Sequence, residues 1–324
     1  MANKHSKKFL IIILTIVTVV CTGFGPSFLE KAGVDRKTAE KIKDSVENLV
    51  SGSVRKESQK IVDKVKDFVD IVVTKLQEED SSSRPANDNR LEVPAEIIGH
   101  QIVEHAGYTL SWNRKMLAAD WVAYTLTADN LNNPVTSREG EIFKKDPMIQ
   151  SCPEDSDYKG VGNLRPHPSA RGHLKPASDA RYSITDMEDT FYLSNCCIQF
   201  QFFNSGIWLT AENAVRDSAR ITGKVYVVTG PVMTDGPYEK FKDKLNIFKS
   251  FYKALLVTDG NNVQTIALLI PQDANRKNSL STYAMSIDEL EKITGIDFFP
   301  NLEDTVEEQT ESTYDITYWP KSFR

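Results

Sequence analysis

Residues 169–183 read SARGHLKPASDARYS, a basic stretch in which His173 directly follows an arginine and a glycine. Lys175 and Arg181 come soon after it. A histidine in this setting has two interpretations: it is a general base that acts on a phosphate, or it is an ordinary surface residue of a basic loop. The residues that the chain brings near His173 decide between them.

The segments around this stretch alternate between strand-like and helix-like patterns. Residues 205–220 predict a helix with one apolar side. Residues 286–295 predict another, which begins with a Ser286/Glu289 capping box and ends at Gly295. The mixture predicts an α+β fold, with a central mixed or antiparallel sheet flanked by helices. The predicted strands are DWVAYTLT (120–127), TFYLSNCCIQFQF (190–202), KVYVVTGPV (224–232) and VQTIALLIP (263–271).

Four side chains along the first of these helices recur at intervals of four residues. Asn204, Trp208, Glu212 and Arg216 therefore form one slowly drifting stripe on its surface. Asn204 is expected to cap the start of the helix, and Glu212 and Arg216 have the spacing of an ion pair. Taken alone, the stripe indicates a cap and a surface salt bridge.

The histidine stretch and this stripe together resemble the DNA/RNA non-specific endonuclease family, of the ββα-metal (His-Me finger) type that includes endonuclease G. The similarity rests on the ordered set RGHLKP…TFYLSN…FN…W…E…R, in which Asn195 precedes Asn204 by nine residues. It extends to DWVAYTLT upstream and to VYVVTGPV and TGIDFFP downstream. The resemblance covers residues 91–300 and implies a nuclease domain that contains a ββα-metal finger.

The resemblance implies a role for each matched residue. His173 corresponds to the general base and Asn204 to the metal-binding asparagine. Glu212 corresponds to an acid that orients water on the metal, and Asn195 to an asparagine that supports the catalytic loop. Trp208 is expected to pack beneath the site. Members of the family are often dimers, so a homodimer is a further expectation.

Basic residues near the scissile phosphate are also implied. Arg171 and Arg216 correspond to arginines close to that phosphate. The family has one more arginine upstream, where this chain reads REGEIFKKDP and offers two alternatives. These alternatives are Arg138 and Lys144. Lys175 and Arg181 are either further phosphate contacts or solvated surface charges.

Phosphodiester hydrolysis explains these residue types. Unperturbed histidine titrates at about pH 6.5, so His173 is expected to accept a proton from water without a large pKa shift. Mg²⁺ prefers oxygen ligands and retains several waters, so one protein ligand suffices, and the neutral amide of Asn204 leaves the charge of the cation available for the phosphate. We expect a Mg²⁺-dependent endonuclease, with Mn²⁺ as an alternative ion, that cuts DNA and RNA without sequence preference.

One position departs from the family pattern. The usual Asp-Arg-Gly-His is here Ala170-Arg171-Gly172-His173. A missing carboxylate loosens the geometry of the loop, and loose geometry is costly in catalysis. The alternative function is therefore a weakened or inactive nuclease fold that binds nucleic acid or serves as a scaffold. The net charge of −6 argues against sequence-independent binding of nucleic acid over a wide basic surface, although it is compatible with a local basic cleft.

The chain begins with a segment typical of export. Residues 1–8 are basic and residues 9–20 are uniformly apolar, which predicts a signal peptide or signal-anchor over 1–25. An exported protein is expected, either secreted, periplasmic or tethered to a membrane through residues 9–25. In that setting Cys152 is expected to pair with Cys196 or Cys197. The alternative is that all three cysteines are buried free thiols.

The remaining segments lie on either side of the nuclease domain. Residues 26–90 predict an amphipathic helical stalk and a polar linker, because apolar residues recur at three-and-four spacing before the run EDSSSRPANDNR. The stalk has the pattern of a self-associating helix or of a spacer. Residues 301–324 form an acidic C-terminal tail that is expected to be loosely held.

Overall fold

A computed structural model of the protein describes residues 90–259, 262–275 and 277–324. The predicted signal, stalk and linker lie outside the described residues, apart from Arg90. None of the helices in this part combines the length and the apolar character that crossing a membrane requires.

The described residues contain a large sheet and two small hairpins. The eleven strands of the described residues are β1 (Gln101–Glu104), β2 (Thr109–Asn113), β3 (Ala118–Thr127), β4 (Ser169–His173), β5 (Cys196–Phe200), β6 (Lys224–Pro231), β7 (Pro237–Phe241), β8 (Leu245–Phe248), β9 (Ser250–Asp259), β10 (Asn262–Pro271) and β11 (Ala284–Met285). Seven of them form one sheet in the order β1-β2-β3-β6-β9-β10-β11, and every neighbouring pair is antiparallel. The pairs β4-β5 and β7-β8 form separate hairpins.

Helices lie on both faces of the large sheet. Their bounds are α1 (Ala128–Asn132), α2 (Ile184–Thr190), α3 (Gln201–Phe203), α4 (Leu209–Thr222), α5 (Ile287–Thr294) and α6 (Asp304–Glu311). A π-helical segment, Asn204–Trp208, joins α3 to α4. The predicted capping box of Ser286 and Glu289 starts α5, and Gly295 ends it in the left-handed conformation.

The alternation of side chains along the strands divides the core into two clusters. In β3, Trp121 belongs to one cluster and Val122 to the other, as expected for side chains on opposite faces. The buried residues of α4, including Ala211 and Val215, pack in the same cluster as Val122. Leu290 of α5 packs in the cluster of Trp121. This sheet between helices is the predicted α+β architecture, and it is antiparallel.

Two local predictions differ from the structure, and one alternative that the sequence left open is decided. Residues 190–202 do not form one strand, because the end of α2 and a 3-10 turn at Leu193–Asn195 precede β5. The C-terminal tail is not loosely held, since Trp319 and Phe323 are buried in the main core. The cysteines after residue 90 are all buried free thiols, so Cys152 forms no disulfide.

Candidate active site

A β-hairpin followed by a helix carries the predicted functional residues. β4 contains Arg171 and His173, and it pairs with β5 so that His173 lies opposite Cys196. The chain then leaves β5 directly into α3 and the π-helical segment. Gly172 is needed in this hairpin because a Cβ there would lie 2.0 Å from the side-chain oxygen of the buried Gln199.

The hairpin and the helix share one cavity of about 550 Å³. It brings together the imidazole of His173, the carboxamide of Asn204 and the carboxylate of Glu212. Two basic side chains, Arg138 and Arg171, line the same cavity. The residues predicted as base, metal ligand and acid therefore meet in one place.

His173 is held between two aromatic rings. Its ring centroid is 5.2 Å from that of Phe143 and 5.1 Å from that of Phe191. Its Nε2 atom is buried and has no hydrogen-bond partner among the described residues. Burial, together with the charge of Arg138, lowers the pKa of His173 to about 3. The expectation of an unshifted pKa was therefore wrong for the free protein, in which the imidazole is neutral.

Asn204 lies inside the helical run and does not cap it. The run begins at Gln201, and Asn204 has right-handed helical backbone angles, so the capping prediction was wrong. Gly206 departs from helical angles at φ −113° and ψ −112° within the π-helical segment. The carboxamide of Asn204 makes no hydrogen bond with any of the described residues, although it lines the cavity. Its oxygen is therefore available to a ligand.

Arg216 binds buried partners instead of lining the cavity. Its Nε donates to Asp179 Oδ1 at 2.7 Å, its Nη1 to Asn213 Oδ1 at 2.7 Å and its Nη2 to Glu212 Oε2 at 3.3 Å. Only 7% of the residue is exposed. In this structure the guanidinium group of Arg216 faces Glu212 and Asp179 and does not line the cavity, so its contact with the scissile phosphate stays a prediction.

A second layer of charge lies behind Glu212. Burial raises the pKa of Glu212, although Lys253 and Arg216 oppose the shift. Lys253 is itself fully buried, and its Nζ lies 4.2 Å from the centre of the Trp208 ring. Trp208 is fully buried, so it packs beneath the site as expected. The pattern of the sequence near residue 253 gave no signal for this lysine, which occupies a strand between apolar residues.

Asn195 fixes the backbone that follows His173. Its Oδ1 accepts from the Lys175 backbone N–H at 2.8 Å, and its Nδ2 donates to the carbonyl oxygens of Lys175 at 3.0 Å and Thr190 at 2.9 Å. The side chain is fully buried and acts on the loop, not on the cavity.

Lys175 is buried away from the cavity and is paired with a carboxylate. Only 1% of the residue is exposed, and its Nζ lies 2.5 Å from Asp186 Oδ2. The same ammonium group donates to the carbonyl oxygen of Gly107 at 2.8 Å. In the free protein the carboxylate of Asp186 on α2 therefore holds this side chain in the core, and a contact of Lys175 with phosphate stays a prediction.

The other basic candidates divide into two groups. Arg171 and Arg138 reach the cavity, where Arg171 forms an ion pair with Asp155 and lies over the Phe143 ring. Lys144 and Arg181 do not line it. The Lys144 ammonium lies 4.9 Å from the centre of the Tyr192 ring, and Arg181 is exposed. Of the two alternatives for the upstream cation, Arg138 is the one at the site, while contacts of Lys144 and Arg181 with substrate stay predictions.

A histidine on a hairpin, with an amide and a carboxylate on the helix that follows it, defines the ββα finger class of nuclease fold. The chain matches the DNA/RNA non-specific endonuclease family over residues 59–305. The protein belongs to this family and is a nuclease.

Named relatives agree with the family match. Nuclease C1 of Cunninghamella echinulata var. echinulata is 31% identical over 234 residues, which is 68% of this chain and 90% of that relative. Mitochondrial endonuclease G of Homo sapiens is 28% identical over 216 residues, covering 62% of this chain and 70% of that relative. Both are named as nucleases.

A solved structure supports the fold. The crystal structure of the EndoG/EndoGI complex contains a chain that matches 68% of this chain and 95% of its own length, with a TM-score of 0.59 and 24% identity. At this identity the likeness shows the fold alone. It agrees with the antiparallel sheet and the finger described above.

Proposed function

We propose that the protein is a Mg²⁺-dependent endonuclease that hydrolyses DNA and RNA without sequence preference, with His173 as general base and Asn204 as metal ligand. One observation carries the proposal: a single cavity is lined by both His173 and Asn204, and the carboxamide of Asn204 makes no hydrogen bond within the described residues. A base and a ligand for a cation are the two groups that metal-assisted hydrolysis of a phosphodiester requires.

The side chains around Asn204 fit a hard divalent cation. The amide oxygen of Asn204 is unpaired within the described residues, and the carboxylate of Glu212 lines the same cavity. Oxygen donors suit Mg²⁺ and Mn²⁺ better than softer metals. When bound, such an ion supplies Lewis-acid stabilisation of charge that develops on the phosphate oxygens.

His173 would take the proton from the attacking water. Its pKa of about 3 in the free protein keeps the ring neutral and able to accept a proton at neutral pH. A base with so low a pKa is weak, but an anionic phosphate in the cavity favours the charged imidazolium and raises this pKa. The rings of Phe143 and Phe191 hold the imidazole in place while the proton moves.

The remaining charged groups would position water and phosphate. Glu212 is oriented by Arg216, which is fixed in turn by Asp179. Arg138 and Arg171 line the cavity and supply positive charge to the phosphate as negative charge grows there. Because these groups address the phosphate and not a base, they are compatible with both DNA and RNA as substrates.

The test is hydrolysis of plasmid DNA and of RNA by the full chain, with Mg²⁺, with Mn²⁺ and with EDTA. His173→Ala should reduce kcat by about 10²–10⁴, the usual contribution of a general base. His167→Ala is the matched control, since this histidine stacks on Phe200 and does not line the cavity. Cutting that needs no metal, or that survives His173→Ala, would overturn the proposal.

The metal ligand has its own pair of variants. Asn204→Ala should raise the concentration of Mg²⁺ needed for half-maximal activity by tenfold or more, with the fold retained. Ser205→Ala is the control, because Ser205 lines the same cavity but donates to the Gln201 carbonyl oxygen. If the two variants require equal Mg²⁺, Asn204 does not hold the metal.

We also propose that the protein acts outside the cytoplasm, on the strength of the basic and apolar residues at its start. Fractionation of cells that express the full chain tests this, and protein confined to the cytoplasmic fraction would contradict it. Removing residues 9–25 should abolish export or release a tethered protein.

A further inference from the structure

Three carboxylates that do not belong to the nuclease cavity lie close to one another. Asp288 and Glu291 project from α5 and Glu311 from the last turn of α6, and one oxygen of each lies within 4.8 Å of the others. Both helices pack against β10. None of the three lines the cavity that holds His173.

Glu311 is the buried member of this carboxylate cluster. Only 3% of the residue is exposed, and its Oε1 has no hydrogen-bond partner among the described residues. The buried carboxylate of Asp186, by contrast, is paired with Lys175. A charged carboxylate that is buried, lacks a hydrogen-bond partner at one oxygen and lies near two further carboxylates is disfavoured by both desolvation and like charge.

No cationic side chain in the described part of the chain neutralises this charge. Within the described residues, none of the three carboxylates forms a salt bridge with a lysine, arginine or histidine. Something other than a side chain must balance the cluster, either a shared proton or a bound cation.

We propose that Asp288, Glu291 and Glu311 bind one Ca²⁺ ion, at a site separate from the catalytic metal. Calcium takes six to eight oxygen ligands at roughly 2.3–2.6 Å, so oxygens on opposite sides of the ion are about 4.6–5.2 Å apart. Oxygens that all lie within 4.8 Å of one another are therefore compatible with ligands of one such ion. Mg²⁺ would draw opposite ligands to about 4.1 Å and demands stricter geometry.

The site would join the C-terminal segment to the domain. Glu311 ends α6, and the chain that follows it carries Trp319 and Phe323 into the core. α5 is anchored independently by its capping box and by Leu290. An ion shared between α5 and α6 thus links a firmly packed helix to the one that leads into the C-terminal residues, and it binds only the folded state.

Calorimetric titration of the full chain with CaCl₂, after EDTA treatment, tests the proposal. The experiment uses an Asn204→Ala background so that binding at the proposed catalytic metal site is weakened. We expect one Ca²⁺ ion per chain and a Tm that rises with the logarithm of the Ca²⁺ concentration. Glu311→Gln should weaken this binding at least tenfold and remove the shift in Tm.

Two further variants complete the test, one at a second proposed ligand and one at a control position. Asp288→Asn changes a half-buried ligand and should also weaken binding, even if Glu311→Gln disturbs the core. Glu308→Gln removes an exposed acid of the same helix and should leave binding unchanged. No Ca²⁺ binding at millimolar concentration would overturn the proposal in favour of a shared proton. So would binding that persists in both the Glu311→Gln and the Asp288→Asn variants.

Discussion

Arg216 Nε lies 2.7 Å from Asp179 Oδ1, and the two side chains are 8% and 0% exposed. Asp179 also accepts a hydrogen bond from the hydroxyl of Tyr124 at 2.9 Å. The opposite end of the Arg216 guanidinium group reaches Glu212, which lines the cavity. The pair therefore ties the orientation of a cavity carboxylate to the core beneath α4.

Replacing Arg216 should destabilise the protein strongly. Arg216→Met leaves Asp179 buried without its cation, which should lower the free energy of unfolding by about 3–5 kcal/mol. Arg220→Met is the matched control on the same helix, because Arg220 forms an exposed pair with Asp217 at 3.1 Å and should cost at most about 1 kcal/mol. Urea denaturation measures the free energy of unfolding of both variants. Equal losses would show that the buried pair contributes no more stability than the exposed pair.

The parts of the fold that local pattern controls were predictable. The strands β3, β6 and β10 follow from runs of β-branched and aromatic residues, and the capping box of α5 follows from Ser286 and Glu289. The shared cavity of His173 and Asn204 also agrees with the motif that linked them. These features depend on residues that are close in the sequence or in a recognisable order.

The structure differs from the expectations where contacts between residues far apart in the sequence determine the position of a side chain. Lys175 is buried because Asp186 lies on the neighbouring α2, and Arg216 turns from the cavity because Asp179, 37 residues earlier, binds it. Asn204 is not a cap because the helical run starts three residues before it, next to a π-helical segment. Trp319 belongs to the core although the C-terminal segment that leads to it is rich in acidic residues. No local pattern reports such partners.

The neutral state of His173 should be visible by NMR. In the metal-free protein its ring signals, identified by their loss in His173→Gln, should not titrate between pH 8 and pH 5, because the pKa is lowered to about 3. The unfolded chain binds this proton at about pH 6.5. His173 therefore contributes stability above pH 6.5 that is progressively lost as the pH falls towards 3. A midpoint near the unperturbed value would contradict the buried environment described here.

Gly172 should not tolerate a side chain. A Cβ at this position would lie 2.0 Å from Gln199 Oε1, and Gln199 is fully buried and cannot move aside freely. Gly172→Ala should cost about 1–3 kcal/mol of stability through overpacking and should lower activity by displacing His173. Gly162→Ala is the control in the same cavity, since the nearest atom to its Cβ is 3.9 Å away. Thermal unfolding measures the Tm of both variants, and equal values would contradict the predicted clash at residue 172.

The carboxylate that the family pattern has before Arg171 can be restored. Ala170 lines the cavity together with Arg138 and Arg171, so Ala170→Asp would add a group able to hold one of these guanidinium groups in a fixed position. Because better positioning lowers the barrier, we expect kcat to rise about tenfold with KM little changed. Ser178→Asp, which adds the same charge elsewhere in the cavity, should leave kcat unchanged or lower it. If both variants lower kcat, the carboxylate has no positioning role here. If the wild type binds nucleic acid without turnover and only Ala170→Asp cuts it, this chain is a nuclease fold that has lost its activity through this one position.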